Sequence, residues 1–224
     1  MTRSQINQTI KDAEAFVESF RFALPPFARW TPEQWQGKGR ECDGIRAARL
    51  GWDVTDFGFG SFSGVGLVLF TLRNGLPNAA PGEKNYAEKL LISREDQICP
   101  THYHHRKTED IINRGGGILS MRLHNSAEDG SLCHSDVTIS RDGVSVTVAA
   151  GTEIELSPGE SVTLTPGLYH SFWAKRDCGA VLIGEVSQTN DDEEDNRFLD
   201  DVGRFPEIEE DEPPYRLLCR EYPV

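Results

Sequence analysis

No stretch of the 224-residue chain approaches the roughly 20 apolar residues that a bilayer-spanning helix requires. The start, Met1-Thr2-Arg3-Ser4-Gln5, leads into a polar segment rather than the apolar heart of a secretory signal, so a cytoplasmic protein is expected. Cysteine pairing is equally poor. Cys42, Cys99, Cys133, Cys178 and Cys219 are odd in number, widely spaced and never arranged Cys-x-x-Cys, which indicates neither a disulfide framework nor a thiolate zinc site. Basic charge is scarce too: 23 Lys and Arg face 36 Asp and Glu, a formal net charge of -13. Such a chain lacks the clustered cations that nucleic acid or an anionic membrane surface demands. Internal repeats and alternating β-α-β patterns are also missing, which removes solenoids and parallel α/β sheets from consideration.

What the chain does contain is a short amphipathic start followed by many short strands. Ile6, Ile10, Ala13, Val17 and Phe20 recur at helical spacing with Ser4 available as the N-cap, and Pro25-Pro26 ends the run. Thr31-Pro32-Glu33-Gln34 reads as a second start with a capping box. Glycine, aromatic and β-branched residues dominate from Asp53 onward, beginning with the apolar run 67–72. Strands are predicted over 86–92, 98–104, 110–113, 117–123, 135–140, 144–148, 152–156, 161–164, 172–174 and 181–186, separated by turn residues such as Arg141-Asp142-Gly143 and Pro158-Gly159. This pattern predicts an all-β jelly-roll barrel in one domain spanning 1–224. It carries a helical N-terminal arm over about 1–40 and acidic C-terminal loops over about 190–224. The run Glu207 to Glu212 is read as a solvated loop without chemistry.

Chemistry concentrates in His102-Tyr103-His104, with Glu109 five positions on and His170 after Pro166-Gly167-Leu168-Tyr169. Side chains two apart on a strand share a face, so His102 and His104 form a ligand pair, while Tyr103 and His105 face away. Glu109, placed beyond a short turn, and His170, from a second hairpin, would complete a set of three imidazoles and one carboxylate. Such a set suits Mn, Fe, Co, Ni or Zn and leaves positions open for a substrate. Together with Gly116, Gly159 and Gly167, these residues resemble the two-part motif of the cupin superfamily, whose three histidines and one glutamate bind a metal. Asp96 stands where that superfamily carries a turn glycine.

Glu185 lies in the otherwise apolar stretch Val181-Leu182-Ile183-Gly184-Glu185-Val186 and is expected to point into a shared interior. Burial there makes its pKa movable, as a general base near neutral pH requires. Parity does not decide which way Lys89 faces. The segments Glu88-Lys89-Leu90, Thr101 to Asp110 and Gly184 to Asp192, the last running on to Asn196-Arg197-Phe198, resemble the D-lyxose isomerase family of cupin-type aldose–ketose isomerases. That resemblance implies a divalent cation, manganese first, held by His102, His104, Glu109 and His170. It also implies Glu185 as the acid/base, Lys89 as a donor to a substrate oxygen, and Asp191 with Arg197 as contacts to distal hydroxyls or as loop-ordering partners. Substrates would be free sugars such as D-lyxose/D-xylulose and D-mannose/D-fructose, and the assembly a homodimer. A non-haem iron oxygenase and a non-catalytic sugar-binding cupin remain as alternatives, and so do an enediol and a hydride-shift route.

Overall fold

The computed structural model describes every residue except Asn78, Pro206 and Val224. Helix α1 spans Arg3–Ser19; the short helices α2 (Pro32–Gln36) and α3 (Asp43–Ala47) follow. The strands are β1 (Gly51–Thr55), β2 (Leu67–Arg73), β3 (Tyr86–Ser93), β4 (Cys99–His104), β5 (Glu109–Gly116), β6 (Leu119–Asn125) and β7 (Val137–Arg141). They continue as β8 (Val144–Val148), β9 (Glu153–Leu156), β10 (Ser161–Leu164), β11 (Leu168–Ala174), β12 (Val181–Gln188) and β13 (Asn196–Phe198). Two antiparallel sheets result, ordered β1-β2-β3-β12-β5-β10-β7-β8 and β13-β4-β11-β6-β9. Their facing surfaces bury one core that includes Leu69, Leu91, Ile111, Met121, Leu123, Leu164, Phe172 and Ile183. This is the all-β barrel with a helical arm that the strand pattern predicts.

The run 67–72 is apolar apart from Thr71 because β2 is covered on both faces. Leu67 and Leu69 point into the barrel, whereas Val68, Phe70 and Leu72 pack outward against Ile6, Ile10, Ala13 and Val17 of α1. The helical arm therefore supplies a second core behind the large sheet, and no helix among the described residues is long and apolar enough to cross a membrane. Thr2, not Ser4, caps α1: its side chain accepts from the Gln5 N–H, and the Gln5 side chain returns the bond to the Thr2 backbone. Ser4 lies inside the first turn and donates instead to Asp211.

The acidic residues from Glu207 to Glu212 are exposed in a loop, as expected, but the loop is tethered to the helix. Arg3, 3% exposed, forks between Glu210 (2.6 Å) and Glu221 (2.6 Å), and Asn7 donates to Glu212 at 2.6 Å. The acidic tail thus neutralises the start of the helix and ties both chain ends to the same sheet. Arg3→Ala is expected to lower the unfolding free energy by about 2 kcal/mol, the loss typical of hydrogen bonds to charged groups. A urea titration with an unchanged midpoint would refute it.

Further differences concern boundaries. The sequence does not announce β1 and β13, since β1 follows a helical stretch and β13 has three residues inside an acidic segment. Glu109 lies just beyond a short bend, as expected, and opens β5, while β11 begins at Leu168, so His170 sits within a strand. Asp96 adopts a φ of 56°, the left-handed conformation that favours glycine and that aspartate tolerates better than most residues.

Candidate active site

Strand β4 aims His102 and His104 inward, and β11 pairs with it so that His170 lies directly across from His102. A register shift between the His170 and Phe172 positions turns Cys99 inward as well, despite its odd spacing from His102. The link from β4 crosses to the other sheet, where Glu109 opens β5 beside β12. All three histidines and Glu109 are buried, and the histidine ligand atoms lie within 4.8 Å of one another. Glu109 Oε1 stands 3.3 Å from Nε2 of both His104 and His170.

This donor set fits a divalent ion. Two atoms each about 2.1 Å from one ion at tetrahedral to right angles stand about 3.0–3.4 Å apart, which matches the two 3.3 Å separations. The Nδ1 atoms of His102 and His170 contact the carbonyls of Pro100 (2.8 Å) and Leu168 (3.0 Å), so each carries its proton on Nδ1 and leaves the Nε2 lone pair free. Burial, reinforced by the two other imidazoles, holds His102 far below its ordinary pKa. Burial likewise brings His170 to about 4, against the opposing charge of Glu109. Both are neutral imidazoles at neutral pH. Burial raises the Glu109 carboxyl, but the Lys107 ammonium and the neighbouring His104 and His170 together outweigh it, and Glu109 is ionised.

Next to this cluster lies a pair of lysines around one carboxylate. Glu185 on β12 is registered opposite both Lys89 of β3 and Ile111 of β5, and all three face the interior. Gly184 and Val186 alternate to the outer face, which explains why Glu185 is the single acid of an apolar stretch. Its Oε1 is crowded by Lys107 Nζ (2.9 Å), Lys89 Nζ (3.1 Å) and Ser187 Oγ (3.2 Å). Oε2 receives only a 3.5 Å approach from Lys89. Lys107 Nζ also reaches Glu109 Oε2 at 2.8 Å, and Lys89 Nζ reaches Asn190 Oδ1 at 2.6 Å. Burial alone lifts the Glu185 carboxyl; Lys107 and Lys89 reverse this and hold it below the usual carboxylate value. The carboxyl is thus moved by its surroundings, as expected, and the direction is downward, leaving an ionised carboxylate.

His102, His104, Glu109, His170, Glu185 and Lys89 all line one cavity. Asp191 and Arg197 do not. Asp191 accepts from the N–H groups of Glu193 and Glu194 and faces Arg106 on the outside, while its neighbours Asn190 and Asp192 line the cavity. Arg197 stands opposite Tyr103, with Asn196 opposite His104 and Phe198 opposite His102. Period-two alternation therefore turns Asn196 and Phe198 inward and leaves Arg197 exposed against Gly130. Lys107, Asn190, Asp192, Asn196, Phe198 and Arg204 line the cavity without having been singled out. Lys107 lies between β4 and β5, outside either strand, so no strand parity marks it in the sequence.

Among known proteins, the family model described as D-lyxose isomerase matches residues 1–222. The chain is 50% identical to a D-lyxose/D-mannose isomerase of Serratia proteamaculans, over 99% of this chain and 98% of that protein. It is 47% identical to a D-lyxose/D-mannose isomerase of Escherichia coli O157:H7, with the same coverage. Among solved structures, an L-ribose isomerase of Cellulomonas parahominis with L-ribose superposes with a TM-score of 0.58 at 14% identity, covering 94% of this chain and 97% of that one. At that identity the likeness bears on the fold alone, and it agrees with the cupin-type barrel described above.

Proposed function

The chain belongs to the D-lyxose isomerase family, and we propose that it is a metal-dependent aldose–ketose isomerase that interconverts D-lyxose with D-xylulose and D-mannose with D-fructose. The observation that carries the reading is a buried, ionised carboxylate, Glu185, lying between two buried lysines and one short step from a cluster of neutral imidazoles. Moving a carbonyl between C1 and C2 requires a group that takes the proton from one carbon and returns it to the other, together with donors for the adjacent oxygens as they gain charge. A divalent cation, manganese first, held by His102, His104, Glu109 and His170 would supply Lewis-acid stabilisation of that charge.

The chain's own residues divide the remaining work. Glu185 Oε2, the less engaged oxygen, takes the proton from C2 of the aldose and delivers it to C1 while the O2 hydroxyl proton passes to O1, so that C1 becomes a hydroxymethyl carbon and C2 the carbonyl. Lys107, bonded to Glu185 Oε1 and Glu109 Oε2, fixes the carboxylate while its own charge stays neutralised on both sides. Lys89 donates toward the sugar oxygen nearest Glu185. The apolar wall of Leu69, Leu91, Ile111, Phe172 and Phe198 keeps water from the reacting carbons.

Anaerobic incubation of the metal-loaded protein with a panel of aldoses, followed by ketose detection, tests the reading. D-xylulose from D-lyxose is expected. Product formed only in air would mark an oxygenase, and tight sugar binding without ketose would mark a binding module. His104→Ala and His170→Ala are each expected to lose the bound metal in elemental analysis, and full occupancy in either would overturn the ligand set.

A further inference from the structure

Asp192, Asn196 and Arg204 meet at the pole of the cavity contributed by the C-terminal segment, and none of them is used by the proton-transfer chemistry. Asp192 Oδ1 accepts from Asn196 Nδ2 at 3.2 Å, and Asp192 Oδ2 lies 3.4 Å from Arg204 Nη2. The same Nη2 is anchored at 2.7 Å to Asp53 of β1, whose side chain is 3% exposed. Three polar atoms of this cluster are enclosed and have no hydrogen-bond partner among the described residues: Arg204 Nη1, Asn196 Oδ1 and Asp53 Oδ1. Asp53 stands behind the cavity wall, whereas Arg204 and Asn196 line the cavity, one with an unmatched donor and the other with an unmatched acceptor. Buried polar atoms are almost always satisfied, so an unmatched pair of opposite character calls for a ligand group that accepts and donates at once. A hydroxyl is that group.

We propose that Arg204 and Asn196, oriented by Asp192, form a subsite for one hydroxyl of the sugar remote from C1 and C2, and so set the demand for a polyol chain. The proposal rests on the isomerase reading above and deepens it. A carboxylate ligand is disfavoured by Asp192 and Asp53, which already neutralise the guanidinium, and an apolar group would leave both atoms unpaired. The selection is therefore for a neutral group with both hydrogen-bonding roles.

The test compares D-lyxose with its 4-deoxy and 5-deoxy forms in turnover, and the pentitol of D-lyxose with its deoxy forms in calorimetric binding. The wild-type protein is expected to prefer the full polyol over one deoxy form by on the order of 10- to 100-fold in kcat/KM and in affinity. Asn196→Ala, which strands no charge, is expected to shrink that ratio several-fold while metal content is unchanged. Arg204→Lys keeps the charge but lacks the second terminal nitrogen, and is expected to do the same even where Arg204→Met fails to fold. Turnover of D-lyxose with equal treatment of both deoxy forms, or variants that keep the wild-type ratio, would overturn the subsite. Pentitol discrimination without any aldose turnover would instead overturn the isomerase reading and leave the subsite standing.

Discussion

Exhaustive treatment with a strong chelator is expected to reduce isomerisation to background, with manganese restoring it and magnesium restoring little. The interior explains the size of the effect. Three enclosed or nearly enclosed cations, Lys89, Lys107 and Arg204, face four carboxylates, Glu109, Glu185, Asp53 and Asp192, which leaves a formal charge of -1. Such a site resists further negative charge on a sugar's oxygens. A divalent cation turns the balance to +1, the sign that favours it. The preference among metals follows from the ligands: three imidazoles bind later first-row ions well, whereas magnesium holds its waters and prefers oxygen. Equal rescue by magnesium would contradict this donor set. Full activity in protein shown by elemental analysis to be metal-free would remove the metal from the mechanism altogether.

Much of this site was legible before any coordinates, for a simple geometric reason. His102 and His104, and likewise Glu185 within its apolar stretch, sit on strands where a period of two fixes the face. Where that period breaks, the reading failed. Lys107 lies in the bend between β4 and β5, so nothing local announced that its ammonium would bridge Glu109 and Glu185. In the segment after β12, residues 189 to 195 follow no repeat, so nothing in the sequence separates Asp191, which orders the loop through the Glu193 and Glu194 N–H groups, from Asn190 and Asp192, which line the cavity. Arg197 fell to the opposite error. It stands on a three-residue strand hidden in an acidic tail, and only pairing with β4 reveals that its parity matches Tyr103 and not the histidines.

The two-faced burial of β2 and β12 shows the same limit at the level of the fold. An apolar run such as 67–72 announces that both faces are covered, and it does not say by what. One cover is the facing sheet, the other the arm of α1, itself held by Glu210, Asp211, Glu212 and Glu221 from the far end of the chain. Pairings across some 200 positions leave no trace in local periodicity, which is why the tether was not legible although the acidic tail is exposed, as its composition implies.

Glu185→Gln is expected to keep the metal and the fold while losing on the order of 10² to 10⁴ in kcat, the usual contribution of a positioned acid/base. The amide preserves size and keeps an oxygen to accept from Lys107, but it cannot take up a proton and return it. The loss should fall on kcat more than on KM, because the proton moves only in the transition state. Near-wild-type turnover would pass the role to another group, with Lys107 and Lys89 examined next. The wild-type protein carries a second readout in heavy water. If Glu185 Oε2 carries the proton, the carboxyl can exchange with solvent between abstraction and return, and deuterium enters the product at the carbon that receives it. A hydride shift from C2 to C1 transfers the original hydrogen with its electron pair and admits no label. Label in the wild-type product, together with collapse of turnover in Glu185→Gln, would assign the proton path to this carboxylate. Product that stays unlabelled through long incubation would favour the shift and leave Glu185 the lesser task of orienting the two lysines.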